Sequence, residues 1–537
     1  MQKMLQLAFL LLLAMTWSAT SFAASFEDTL PKFATNSLKA KIKAIDALAA
    51  TGDSRAASVL EAFLHGRLYW RKKDKKIVII KKSGSVYILM DPLTSKNIGR
   101  VKKRAIKKIR VNNRLRKKIR GAVGSLTLLS KIPEVRAKAA DALFKSRARA
   151  ALPMLEQAIA RETKEAVKSK MEVARAGIQL MSTAKTKTRL VAIERLSKEA
   201  TPKIRSLIAH AANTAKDEVV KKAAVEALAK IEQSLAFWNG VQNLFQGISL
   251  GSVLLLAAVG LAITFGVMGV INMAHGELVM IGAYTTFVVQ EIFRGYFPGA
   301  LDYSLLVAIP AAFLVAGLFG IAIERGIIRF LYGRPLETLL ATWGLSLVLQ
   351  QLVRSIFGPT NREVTTPSWM SGPIEITGGL LLTYNRIWII IFSLVVLGLL
   401  LVILKKTTFG LQVRAVTQNR QMASSMGIRT GTVDALTFGL GSGIAGIAGV
   451  ALSQIDNVSP NLGQNYIIDS FMVVVFGGVG NLWGTLVGAF SLGVLNKFME
   501  PFAGTVLAKI FILIAIILFI QKRPRGLFAL KGRALES

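Results

Sequence analysis

Six consecutive residues, Asn272-Met273-Ala274-His275-Gly276-Glu277, set an amide, an imidazole and a carboxylate between two long apolar runs. Ionisable groups are expensive in such surroundings, so their presence points to a solute path or a gate. The same segment also reads as a solvated turn, with Glu277 as the acid of a helix N-terminus. Asn272, His275, Glu277, Gln350 and Gln351 are the candidates for lining or gating a path, chosen for polarity amid apolar sequence. His275 is not read as a metal ligand, because His65 and His210 fall in another part of the chain and nothing completes a ligand set. A second polar stretch, Arg414 to Ile428, reads as a loop with a short amphipathic helix ending at Gly427. It is suited to lie along a membrane surface and present a docking face, with Arg414, Asn419, Arg420, Ala423 and Gly427 as its marked positions; an inert interfacial helix is the alternative. Gly441-Ser442-Gly443-Ile444-Ala445-Gly446 has dinucleotide-loop spacing, but it sits inside an apolar helix with no strand ahead of it and is set aside. No Walker-type phosphate loop is visible, so ATP hydrolysis is not expected of this chain.

The elements that hold these groups are membrane helices. Of 537 residues, 52% are hydrophobic and 18% charged, too apolar for an ordinary soluble chain of this length. Beyond Trp238 the apolar runs parse into about nine crossings: Gly247–Val270, Glu277–Ile292, Leu305–Ile323, Leu339–Phe357, Ile387–Leu404, Val433–Leu452, Phe471–Val479, Leu482–Leu495 and Val506–Ile520. The seventh and eighth are short enough to be a broken pair. With the N-terminal side exported, nine crossings place Arg325, Arg329 and Arg334, then Lys405 to Arg429, then Lys522, Arg523 and Arg525 on the cytoplasmic face, in accord with the positive-inside rule. Small residues recur at helical spacing, at Gly439, Gly443 and Gly446 and at Gly480, Gly484 and Gly488, and are expected to let helices pack closely at the centre of the bundle.

Residues 1–24 read as a signal peptide: Lys3 precedes the apolar stretch Leu5 to Trp17, and small residues follow at Ser21 to Ala24. The region 25–237 is then an exported domain. Between Ser25 and Glu232 it carries 48 Lys and Arg against 19 Asp and Glu, about +29 of the chain's +37. Without aromatic residues alternating with these charges, nucleic acid is not the expected partner; a solvated surface resting on anionic membrane lipid, or a docked protein, is. The absence of cysteine excludes disulfides and thiolate chemistry. Lys41 to Leu48, Arg136 to Leu143, Arg189 to Leu196 and Lys221 to Leu228 share one pattern: basic, two variable, Ala, apolar, acidic, Ala or Arg, Leu. Its Ala and Leu share one helical face and resemble HEAT-like α-helical repeats. Between Arg71 and about Lys96 a β-hairpin is expected instead, Ile77 to Ile80 and Val86 to Met90 around a turn at Lys82 to Ser85. The fold class is thus all-α: a polytopic helical membrane domain, 238–537, after an exported helical-repeat domain with a hairpin insertion.

Gly260 to Ala283 with its Ile-Asn-Met-Ala-His-Gly-Glu core, the loop Arg414 to Ile428, and Phe476 to Gly484 resemble the membrane subunits of branched-chain amino acid type ABC importers. The leader and long exported domain resemble, within that group, the urea-transporting permeases. The resemblance implies a second related permease subunit, two cytoplasmic ATPases that bind the ATP, and a periplasmic substrate-binding protein. It makes Arg414 to Ile428 the segment seated on an ATPase, and implies no cofactor on this chain. The location implied is the bacterial inner membrane, N-terminal domain periplasmic and C-terminus cytoplasmic. The expected function is import of urea or a similar small amide by alternating access; branched-chain amino acid import, or a passive channel or membrane-anchored scaffold, are the alternatives.

Overall fold

The computed structural model describes residues 26–528 apart from 52, 84, 85, 95, 183 and 377–379, so the expected signal peptide lies outside the described residues. Contacts divide the chain into two units, Met1–Leu235 and Ala236–Ser537.

In the first unit, short helices start where the sequence supplies caps. The side chains of Ser37, Asp53, Asn112 and Thr201 accept backbone N–H groups at the starts of Leu38–Ala50, Ser54–Leu64, Asn113–Thr127 and Pro202–Thr214. Three of the four repeated segments bury the same triad: Ala44, Ile45 and Leu48; Ala139, Ala140 and Leu143; Ala192, Ile193 and Leu196. The fourth departs from it, burying Ala224 and Ala227 while Val225 is exposed.

The expected hairpin is present, but as two strands of five, which corrects the all-α reading of this unit. β1 (Leu68–Arg71), β2 (Ile77–Ser83), β3 (Val86–Met90), β4 (Asn97–Val101) and β5 (Ile106–Lys108) form an antiparallel sheet in the order β4-β3-β2-β1-β5. Alternate residues separate its faces: Leu68, Trp70, Ile77 and Ile79 pack with the first helical core, whereas Val78, Ile80, Leu89 and Ile106 form a small core with Tyr69 and Tyr87. The edge strands β4 and β5 are short and rich in charge or polarity, which hides their period in the sequence and blunts the sheet edges.

An ion pair with a buried carboxylate ties Arg136 in the helix Pro133–Ser146 to Glu162, the residue that ends the helix Leu152–Arg161. Arg136 Nε and Nη2 donate to Glu162 Oε2 and Oε1 at 2.6 and 2.7 Å, and Glu162 also accepts the backbone N–H groups of Thr163 and Lys164. The Arg136 hydrogen bonds are the main cause that holds the Glu162 carboxyl down to about 2. Its folded value lies below its unfolded one, so the stabilisation is fully present above about pH 4.5 and is lost as pH falls through about 2. Glu162→Gln is expected to destabilise the unit by about 1.5–3 kcal/mol at pH 7. Denaturant unfolding of the full chain followed across pH should show that deficit shrinking below about pH 4.5.

The second unit is a helical bundle: the part of Glu218–Met268 from Ala236 onward, then His275–Tyr296, Ser304–Gly326, Pro335–Phe357, Tyr384–Lys406, Thr430–Ser453, Leu462–Gly477 and Leu482–Lys522, with the short helices Thr408–Gln418 and Arg420–Ser425 before Thr430. Among the described residues, six helical segments are long and apolar enough to cross a membrane, against the nine crossings expected. The differences have physical causes. His275–Tyr296 begins with buried His275 and Glu277, which lower its hydropathy. Leu462–Gly477 has only 16 residues. Leu482–Lys522 is two helices that meet at a kink at Gly504, whose backbone is not helical (φ 76°), so the two crossings expected there count as one segment.

Candidate functional site

Two polar sites are built into the membrane unit. The first is the segment read as a solvated turn or a path: it is not solvated. Asn272, His275 and Glu277 are each 1% exposed. Asn272 Oδ1 accepts the Ala274 N–H at 3.0 Å, turning the chain into the N-terminus of His275–Tyr296. His275 Nε2 donates to the Ala257 carbonyl at 2.9 Å. Glu277 Oε1 accepts from Ser346 Oγ and from Gln350 Nε2, both at 2.8 Å. Met273 N–H donates to Thr342 Oγ1 at 3.1 Å.

The partners Thr342, Ser346 and Gln350 recur every fourth residue and, with Thr338 one step before them, form one buried polar stripe on Pro335–Phe357. Gln351 stands one residue off that stripe and is exposed; of the five expected residues, Glu277 and Gln350 are in contact, whereas His275 bonds to the Ala257 carbonyl and Asn272 to the Ala274 N–H. The stripe was legible in the sequence as a polar period of four and was missed because the surrounding run is apolar. Asn272 Nδ2, His275 Nδ1 and Glu277 Oε2 are buried without a hydrogen-bond partner among the described residues. Buried polar groups are nearly always paired.

The second site surrounds the expected docking loop, which is two helices rather than one. Asn419 breaks the segment with an extended backbone, and its side chain caps the second helix by accepting the Met422 N–H at 2.9 Å. Gly427, at φ +86°, ends it in a conformation that favours glycine. Ala423 is buried with Val413, Val416 and Val433, while Met422 and Met426 are exposed. Arg414 donates to the Leu404 carbonyl. Arg420 binds both carboxylate oxygens of fully buried Asp434 and lies 4.7 Å over the Tyr332 ring; Tyr332 Oη donates to Glu324 Oε1 at 2.9 Å. Asp434, Tyr332 and Glu324 were missed in the sequence, although acids within apolar helices are themselves a signal.

The small residues pack as expected, with one correction. Gly439, Gly443 and Gly446 of Thr430–Ser453 face Ile321, Phe313 and Ala312 of Ser304–Gly326. Gly484 meets Gly477 backbone to backbone, and Gly488 meets the Val473 carbonyl. Gly480 is in no helix: it sits in the turn before Leu482, at φ +80°, with its Cα against Gly266.

Residues 243–520 match the family described as branched-chain amino acid transport system / permease component. The high-affinity branched-chain amino acid transport system permease protein LivH of Salmonella typhimurium is 34% identical over 307 residues, 55% of this chain and 96% of that protein. The permease protein BraD of the corresponding system in Pseudomonas aeruginosa is 29% identical over 296 residues, 54% of this chain and 96% of its own. The ribose import permease protein RbsC of Bacillus subtilis is 32% identical over 132 residues, 22% of this chain and 41% of its own. No solved structure matches the chain.

Proposed function

This chain belongs to the family of branched-chain amino acid transport permease components, and from that premise we propose that it is the membrane subunit of an ABC importer that moves an aliphatic amino acid inward by alternating access. The observation that carries the reading is the pairing of a buried polar cluster, centred on Glu277, with a helical loop held to the membrane body by Arg420 and Asp434. Glu277, His275, Asn272 and Gln350 line or gate the path. The exposed Met422 and Met426 of the Arg420–Ser425 helix and the residues after it form the seat for an ATPase. A second permease subunit, two ATPases that bind ATP, and a binding protein that delivers the solute complete the machine, in the inner membrane, with the N-terminal unit on the delivery side and the C-terminus cytoplasmic. The basic N-terminal unit would rest on anionic lipid headgroups or dock a partner.

Urea or a small amide is the second reading. The polar cluster favours it, because an amide-sized solute can both accept from Asn272 Nδ2 and donate to Glu277 Oε2. Uptake of labelled leucine and labelled urea in cells lacking only this chain, with and without its return, separates the two. Restored leucine uptake is the expected result; restored urea uptake alone would replace the amino acid with urea.

A further inference from the structure

An aliphatic amino acid carries an ammonium and a carboxylate on one carbon, so a site for it in a membrane needs opposed charges beside an apolar wall. Resting on the amino acid reading above, we propose that Asp469 and Lys509 are a binding station for that zwitterion. Lys509 Nζ donates to Asp469 Oδ2 at 2.7 Å and to the Asn465 carbonyl at 3.4 Å. Asp469 belongs to Leu462–Gly477 and Lys509 to the part of Leu482–Lys522 that follows the break at Gly504. Beside the pair lies a cavity of about 10 Å³, walled by Leu254, Met472, Leu492 and Ile512 with Asn496 as a further polar group. That is room for about one water. The aliphatic wall and the charge pair together reproduce the chemistry of an α-amino acid with a hydrocarbon side chain.

Charge balance explains why a pair serves here. Asp469 is the buried member of the pair, and taking Lys509 from it is costly unless the carboxylate finds a new partner. A zwitterion supplies both partners at once: its carboxylate takes Lys509 and its ammonium takes Asp469, so two ion pairs replace one and no unpaired charge is left. Urea can hydrogen-bond to both side chains but brings no charge, so it would replace the ion pair with weaker contacts. The cavity is smaller than the solute, so the station opens by movement of the Lys509 segment. Gly504, at φ 76° three residues beyond Pro501, marks where that segment departs from the helix before it. The Lys509 side chain is 39% exposed and that of Asp469 9%, so the pair is reached from the lysine side.

The test uses the assembled transporter, reconstituted with its ATPases and binding protein, and follows ATP-dependent uptake of leucine and of urea. Asp469→Asn and Lys509→Met should each lower leucine uptake at least tenfold, chiefly through KM. The double variant Asp469→Asn/Lys509→Met removes both charges together; it should assemble as the wild type does yet remain at least tenfold impaired for leucine uptake. Lys509→Arg should recover part of the uptake. Leucine uptake restored in the double variant would make the pair a structural contact and overturn the proposal. Wild-type transport of urea without leucine would overturn the amino acid reading, and the station with it.

Discussion

Replacing Arg420 by alanine is expected to cut ATP-driven uptake at least tenfold while the assembled complex goes on hydrolysing ATP. Asp434 is fully buried in Thr430–Ser453, and Arg420 is the cation on its carboxylate. Removing one partner of a buried pair leaves an uncompensated charge and costs about 3–5 kcal/mol, enough to release or reorder a six-residue helix. Arg420 also stacks on Tyr332, which is tied to Glu324 in Ser304–Gly326, so one side chain links the short helix to two long ones. A force applied at Met422 and Met426 then reaches both helices through a rigid contact. Arg420→Lys keeps the charge but not the planar fork or the stacking, and should give an intermediate uptake. Arg420→Leu/Asp434→Leu relieves the buried charge and should recover thermal stability without recovering uptake. Parallel measurement of uptake and ATP turnover decides the matter. Uptake by Arg420→Ala at the wild-type rate would show that this loop does not transmit the ATPase stroke.

What the sequence disclosed depended on the length scale of its signal. Membrane helices, the Asn272–Glu277 segment and the Arg414–Ile428 loop were legible because each is a long run or a sharp interruption of one. The hairpin Ile77–Met90 was legible through its apolar runs and turn, but β5 has three residues, two of them lysines, and carries no period that could announce it. The helix break at Asn419 was hidden because asparagine is common in amphipathic segments, and only the capped Met422 N–H distinguishes it. Partnerships across the bundle were hidden for a different reason. Glu277 meets Ser346 and Gln350 across about 70 residues, and Lys509 meets Asp469 across 40. Nothing local in the chain specifies such pairs; they follow from how the helices cross. The polar stripe Thr338, Thr342, Ser346, Gln350 is the intermediate case, a regular pattern whose meaning appears only beside its acceptor.

Those crossings rest on glycine, and the largest expected effect on folding follows from that. A Cβ at Gly449 would stand 2.0 Å from the Val279 carbonyl oxygen and 2.6 Å from the Ala283 nitrogen, and one at Gly282 would stand 2.1 Å from the Gly446 carbonyl oxygen. These neighbours are backbone atoms, which cannot rotate away as a side chain can. Gly449→Leu must therefore push Thr430–Ser453 off His275–Tyr296. In lipid the separated surfaces gain nothing from water exclusion, so the packing lost is not recovered elsewhere. Overpacking of a well-filled core costs about 1–3 kcal/mol when side chains can adjust, and a backbone clash lies at or beyond the top of that range. The displaced helix carries Glu277 at its start, so Ser346 and Gln350 would lose their acceptor at the same time, adding about 1–3 kcal/mol for each donor left unpaired. Folded yield of Gly449→Leu, read as the monodisperse fraction after detergent extraction, should fall at least tenfold. Gly398 lies in Tyr384–Lys406 with nothing within 4 Å of its added Cβ. Gly398→Ala should leave that yield unchanged or raise it, since alanine favours a helix interior by about 0.5–1 kcal/mol. Equal yields from the two variants would mean that the close crossing does not hold the bundle together.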